Sequence, residues 1–236
     1  MTVINVADLY KSLQGEYVLK GISFQVDVEL VAIAGPGGSG KTTLLGILST
    51  NLKPDSGKVE ILGFDVLKEP RLVRKMIAYL PEGYSAPPSL TPREYVFTYL
   101  LSRGFSYGEA REQTRDWLLE LGLEDYMRTP IAELSPGLEK RVYFAAILAS
   151  QAEVLLLDDP FSGVDKNTRE LMISWLKKRV EMGITVVLTL RDLSQAQKLA
   201  QRVIVLDDGY ILFQGPPRKL WEVLGPFYWK KKEAKD

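Results

Sequence analysis

Apolar positions in this chain follow two rhythms that alternate along its length. Short, continuous apolar runs at Leu30–Ala34, Val154–Leu157, Ile184–Leu190 and Val203–Leu206 suit strands buried on both faces. Helical spacing appears between them: at Leu44, Leu45, Ile47 and Leu48, over Leu138–Ser150, from about Thr168, and over Ser194–Gln201. Strand and helix in alternation predict a parallel sheet with helices on both faces. Val3–Val6 and Gly21–Val28 read as further strands, the second through the alternation of Ile22, Phe24 and Val26. Pro54–Gly57 predicts a turn before a strand at Val59–Leu62, and Asp208-Gly209 predicts a hairpin into Tyr210–Phe213.

The middle third turns helical. Thr91-Pro92-Arg93-Glu94 combines an N-cap hydroxyl, a proline at the first helical position and a capping-box glutamate. Tyr95, Val96, Tyr99 and Leu100 follow at helical spacing. Ser106 to Glu109 offers a second capping box, for a helix carrying Ala110, Trp117, Leu118 and Leu121, and Gly122 predicts its end. Residues from about 82 to 137 therefore predict a helical lobe inserted into a strand-rich core.

Composition narrows the function. The 236 residues carry 30 Lys+Arg against 30 Asp+Glu, which is no footprint of a nucleic-acid binder. No cysteine and no histidine is present, which removes disulfides, thiolates and the usual general base. The first ten residues lack a signal pattern, and no apolar run approaches the roughly 20 residues of a bilayer span. Work at a membrane would need another chain. Near the end, Trp221, Phe227, Tyr228 and Trp229 before Lys230–Lys232 predict either aromatics packed on the core or a docking surface.

The chemistry begins at Gly35-Pro36-Gly37-Gly38-Ser39-Gly40-Lys41-Thr42-Thr43, between a predicted strand and a predicted helix. Glycines let consecutive backbone N–H groups turn inward as a nest for anionic oxygens, and the helix adds its positive end. Lys41 can reach the outer phosphates of a nucleoside triphosphate, and the Thr42 hydroxyl can ligate Mg²⁺. The competing reading, a glycine-rich turn with an incidental lysine, does not account for the strand and helix on either side. A second feature is Asp158-Asp159, two carboxylates closing an apolar strand at the sheet edge where ligands bind. Asp158 would hold the cation and Asp159 would lie nearer an attacking water; a turn before Pro160 is the bland alternative.

Leu134-Ser135-Pro136-Gly137-Leu138, Lys140-Arg141, Leu155–Pro160 and Ser162-Gly163-Val164-Asp165 resemble, in order, the signature motif, Walker B and D-loop of the ATP-binding cassette (ABC) ATPases. The resemblance runs from about Val3 to Gly215. Tyr79–Gly83 and Ser89–Glu94 are most similar to the subunits of ABC-2-type exporters. It implies an α/β P-loop NTPase with a RecA-like parallel sheet core, an N-terminal antiparallel β subdomain and an inserted helical subdomain, making residues 1–236 a single ABC ATPase domain. It implies ATP and Mg²⁺ as cofactors and a head-to-tail dimer, homo- or heteromeric. In such a dimer the P-loop of one subunit and the Ser135 and Gly137 region of the other sandwich the nucleotide, and Asp165 serves the interface. It also implies an integral membrane partner receiving the helical lobe, and a cytoplasmic place on the inner face of the membrane. As a capped helix N-terminus, Ser135 has a physical basis for facing a phosphate.

Four positions depart from the family's pattern. Asp159 stands for the usual glutamate after Walker B, roughly an ångström short, a displacement that can lower a rate by about 10²-fold. Arg191 stands for the switch histidine; it can clamp a phosphate but accepts no hydrogen bond. Glu82 stands for the Q-loop glutamine, where it can still ligate Mg²⁺ through water, and Pro136 for a signature glycine. Simple alignment puts Leu13 at the adenine, with Tyr10 and Tyr17 as substitutes. Two functions stay open: a slow ATPase using Glu82, Asp159 and Arg191, or a nearly inactive nucleotide-binding partner in a heterodimer.

Overall fold

The computed structural model describes residues 2–225. The N-terminal half is built from β1 (Ile4–Leu13), β2 (Glu16–Val26), β3 (Leu30–Ala34), α1 (Lys41–Leu48), β4 (Ser56–Ile61), β5 (Phe64–Asp65), α2 (Pro70–Met76) and β6 (Ile77–Leu80). Then come α3 (Pro92–Ser102), α4 (Tyr107–Glu120), α5 (Pro136–Ala149), β7 (Val154–Leu157) and α6 (Lys166–Glu181). The chain continues through β8 (Thr185–Leu190), α7 (Leu193–Leu199), β9 (Arg202–Asp207), β10 (Tyr210–Gly215) and α8 (Leu220–Leu224). Phe227, Tyr228, Trp229 and Lys230–Lys232 lie outside the described residues. Trp221, inside them, donates from its indole Nε1 to Gln197 Oε1 at 2.8 Å and packs against the core.

Two sheets result. The central six-stranded sheet has the order β10-β9-β3-β8-β7-β6, parallel from β9 to β6, with β10 antiparallel at one edge. A four-stranded antiparallel sheet, β2-β1-β4-β5, lies in the N-terminal part. The parallel strands read as largely apolar runs because both faces are covered. In β3, Leu30, Ala32 and Ala34 face one core, while Val31 and Ile33 face the other. The first core also takes the inner faces of α5, α6 and α7; the second takes α1 and the antiparallel sheet.

Both capping boxes form. Thr91 and Ser106 accept from the amides of Glu94 and Glu109, whose carboxylates return to the cap amides. Helix α4 ends as its glycine requires: Gly122 takes φ +64°, its N–H reaches Leu119, and that of Leu123 reaches Leu118, a Schellman motif. Helices α3 and α4 pack on each other and on α5, whose Val142–Ala149 stretch is buried all round.

The predicted strands β1 and β2 prove much longer than the alternation indicated. Three register shifts interrupt their pairing, and Gly21 sits in the left-handed region at φ +73°. Each bulge turns the apolar side chains to the other face and breaks the period of two. The turn expected at Pro54–Gly57 is shorter, because Ser56 and Gly57 already belong to β4. A Cβ on Gly57 would come within 2.4 Å of the Asp8 carbonyl, so β1 and β4 approach more closely there than a side chain allows. Neither α2 nor β6 follows from the pattern; β6 begins at Ile77 directly after α2 ends at Met76, with no turn residue to part helix from strand.

Candidate nucleotide site at the carboxyl edge of the central sheet

The site forms where β3, β6, β7 and β8 end side by side. The glycine-rich loop leaves β3 and feeds α1. Two of its glycines are required by close approach: a Cβ on Gly35 would lie 2.1 Å from the Leu206 carbonyl, and one on Gly40, at φ +102°, 2.8 Å from that of Val18. Lys41 is nearly buried and its ammonium spans the loop, donating to the carbonyls of Gly35 at 2.8 Å and Pro36 at 2.7 Å and to Ser39 Oγ at 3.3 Å. Burial pushes its pKa down, nearby Arg191 adds to this, and Asp158, Asp159 and Glu82 oppose it.

Parallel register sets the acidic side of the site. Leu157 of β7 pairs with Leu188 of β8, so the residues that follow, Asp158 and Thr189, meet across the strands. Thr189 Oγ1 donates to Asp158 Oδ1 at 2.6 Å and accepts from the Asp159 amide at 2.8 Å. Asp158 is 2% exposed and its other oxygen, Oδ2, is buried without a hydrogen-bond partner. Asp159 takes φ +44°, uncommon for a residue with a side chain. Burial pushes its pKa up, opposed by Arg191 and reinforced by Glu82 and Asp158.

Arg191 joins what the sequence had left apart. Its Nε lies 3.3 Å from Asp159 Oδ2, and its Nη2 forms a hydrogen-bonded ion pair with Glu82 Oε1. Glu82 leaves the end of β6, Asp159 that of β7 and Arg191 that of β8.

A cleft of about 320 Å³ gathers Gly37, Gly38, Ser39, Gly40, Lys41, Thr42 and Thr43 with Glu82, Asp158, Asp159, Thr189 and Arg191. A larger cavity, about 660 Å³, opens between α3 and α4. It has three arginines but no glycine-rich loop, so the smaller cleft carries the phosphate chemistry. Leu13 lines the cleft beside Val18, whereas Tyr10 and Tyr17 pack edge to face on each other, with ring centroids 6.1 Å apart, and do not line it.

Ser135 and Gly137 do not line this cleft. Ser135 caps α5, accepting from the Leu138 amide at 3.3 Å, and Pro136 occupies the first turn, where its missing N–H removes no helical bond. Within the single chain Asp165 caps α6, accepting from the Thr168 amide at 2.9 Å and from its hydroxyl at 2.6 Å. Arg141 of α5 donates to the same hydroxyl, and a Cβ on Gly137 would stand 2.9 Å from Asp165 Oδ2. The helix start at Ser135 and the loop at Asp165 are thus one packed unit.

Two residues of the cleft escaped the sequence reading, Thr189 and Val18. The signal for Thr189 was present as a hydroxyl next to the last residue of the run Ile184 to Leu190. Val18 lay ahead of the span read as a strand.

Among the described residues no three His, Cys, Asp or Glu side chains cluster as a metal site. The orphaned Asp158 Oδ2 beside Thr42 instead supplies part of an all-oxygen set that the phosphates of a nucleotide would complete, which suits a hard cation such as Mg²⁺.

The ABC transporter family model matches residues 19–162. The daunorubicin/doxorubicin resistance ATP-binding protein DrrA of Streptomyces peucetius is 32% identical, over 94% of this chain and 68% of its own length. The Nod factor export ATP-binding protein I of Rhizobium etli is 32% identical, over 95% of this chain and 71% of its own. Among solved structures, the ATP-binding cassette MJ0796, described as a dimer in a post-hydrolysis state bound to ADP and Pi, superposes with a TM-score of 0.83. It is 29% identical, over 91% of this chain and 99% of that one.

Proposed function

From a chain that belongs to the ABC transporter ATP-binding family, we propose a Mg-ATP-driven subunit that closes head to tail on a second cassette and moves a separate membrane subunit. Residues 1–236 act as one ABC ATPase domain, in which the helical subdomain, roughly 82–137, engages that membrane partner on the inner face of the membrane. Among the described residues no helix is long and apolar enough to cross a membrane, which supports a partner carrying the spanning segments. The similarity to the Nod factor export ATP-binding protein I supports the resemblance to exporter subunits.

In this proposal the amides of Gly37–Thr43 hold the phosphates, Lys41 transfers its hydrogen bonds from the loop carbonyls to the outer phosphates, and Leu13 covers the adenine. Thr42 and Asp158 would hold Mg²⁺, which would neutralise phosphate charge. Asp159 accepts from the attacking water, and Arg191 holds the γ-phosphate. Ser135 and Gly137 complete the partner's site. The orphaned Asp158 Oδ2, buried beside a phosphate-binding loop, is the observation that carries this function: leaving a buried carboxylate oxygen unpaired costs about 1–3 kcal/mol or more, which a bound cation offsets.

Titration calorimetry tests it. The wild-type chain takes up Mg-ATP with heat, and Lys41→Ala abolishes uptake; a variant that kept its ATP affinity would overturn the P-loop assignment. One observation favours the second function, a nearly inactive partner in a heterodimer. Arg191 already lies on Asp159, its Nε 3.3 Å from Oδ2, so one oxygen of that carboxylate is engaged where it would otherwise hold the water. Single-turnover hydrolysis in the closed complex separates the two.

A further inference from the structure

The two most conspicuous replacements in the cleft, Glu82 and Arg191, touch each other, and together they leave the charge of the site unchanged. One adds a negative charge where the family has a neutral amide; the other adds a positive charge where it has an imidazole. They act as a unit.

We infer that Glu82 is a positioning residue that presents Arg191 to the terminal phosphate and thereby sets how strongly the chain prefers ATP over ADP. The inference rests on the nucleotide-binding function proposed above. Its basis is which guanidinium donors are in use. A guanidinium has five N–H groups in a rigid plane. Here Asp159 Oδ2 lies 3.3 Å from Nε as an ion pair, and Nη2 donates a hydrogen bond to Glu82 Oε1. Among the described residues Nη1 has no partner, and Arg191 lines the same cleft as Lys41 and Thr42. Nη1 and the unused N–H of Nη2 supply the fork of donors that can grip a phosphoryl group.

Two anchors are needed because the side chain is long and its surroundings are open: Arg191 is 64% exposed, Glu82 38% and Asp159 14%. Held by Asp159 alone, the guanidinium could pivot about one contact. Glu82, which leaves β6 from the opposite side of β7, fixes the plane. A lysine at 191 could not do this, since a single ammonium has no second edge to offer. ADP lacks the γ-phosphate and has nothing for this fork to hold, so the effect is confined to the triphosphate.

The test is a double-variant cycle read by calorimetric affinity for Mg-ATP and, separately, Mg-ADP. Glu82→Ala is expected to weaken ATP binding by about two- to five-fold, the range of an exposed ion pair, with ADP binding unchanged. In an Arg191→Ala background the same change has no further effect. Glu82→Gln, which keeps the acceptor oxygen, restores part of the preference, and Arg191→Lys does not retain it. Equal loss for ATP and ADP would overturn the inference. So would a Glu82→Ala effect that persists without Arg191, which is the behaviour of a residue acting on the cation. If Lys41→Ala still abolishes ATP uptake in either case, the nucleotide-binding function stands while the role of Glu82 falls.

Discussion

Asp159 and Arg191 show how one contact redistributes the work of a site. Burial pushes the Asp159 carboxyl above the usual 3.8, and the Arg191 guanidinium is the leading influence pulling it back. A raised pKa means the proton is taken up at higher pH than an ordinary aspartate would take it. If Asp159 accepts from water, activity therefore falls on the acid side at a pH above the ordinary aspartate range. Arg191→Gln removes the opposing charge, so it should move that acid limb to still higher pH. A steady-state pH profile of the two proteins checks this, and an unmoved limb excludes Asp159 as the titrating group. The paired acids closing a strand point to Asp159 in the sequence, whereas only the family resemblance points to Arg191, which stands for the switch histidine. Their contact was not legible, because nothing in a pattern of residues states which side chain reaches which.

At the scale of elements, helix ends were the most legible features. The capping boxes at Thr91 and Ser106 and the stop at Gly122 are each written within a few consecutive residues, and each forms. Loss of either cap hydroxyl, in Thr91→Ala or Ser106→Ala, should lower stability by about 1 kcal/mol, and the pair should add because the caps share no partner. Urea unfolding measures this; a cap variant within error of wild type would mean that packing on α5 alone holds the helix. Strand ends were the least legible. The bulged β1–β2 pair outran its pattern, and β6 was missed altogether, although its end carries Glu82.

The whole molecule holds two parts of one proposed chemistry at different places. The P-loop cleft gathers phosphate and cation groups, while Ser135, Gly137 and Asp165 form a second packed unit that does not line it. In the proposed head-to-tail dimer a second cassette would complete a site divided in this way. Mg-ATP should accordingly shift the chain, alone or mixed with its partner cassette, from monomer to dimer in light scattering, under conditions where hydrolysis is slow. Ser135→Arg, which places bulk and charge at the contact, should prevent the shift while each protomer still binds ATP. A dimer that forms equally well with that variant would rule out the head-to-tail arrangement.

The sequence alone determined the phosphate loop, the paired carboxylates, the alternation of strand and helix, and the caps, since each depends on neighbours within one turn of helix or a few residues of strand. Tertiary structure decided the rest. Glu82 and Arg191 are 109 residues apart and meet only because β6, β7 and β8 run parallel with their ends in register. The same register sets Thr189 against Asp158 and leaves one oxygen of that carboxylate open. Contacts of that kind belong to the sheet as a whole, because hydrogen bonding between distant strands, rather than local preference, sets which loop ends share a cleft.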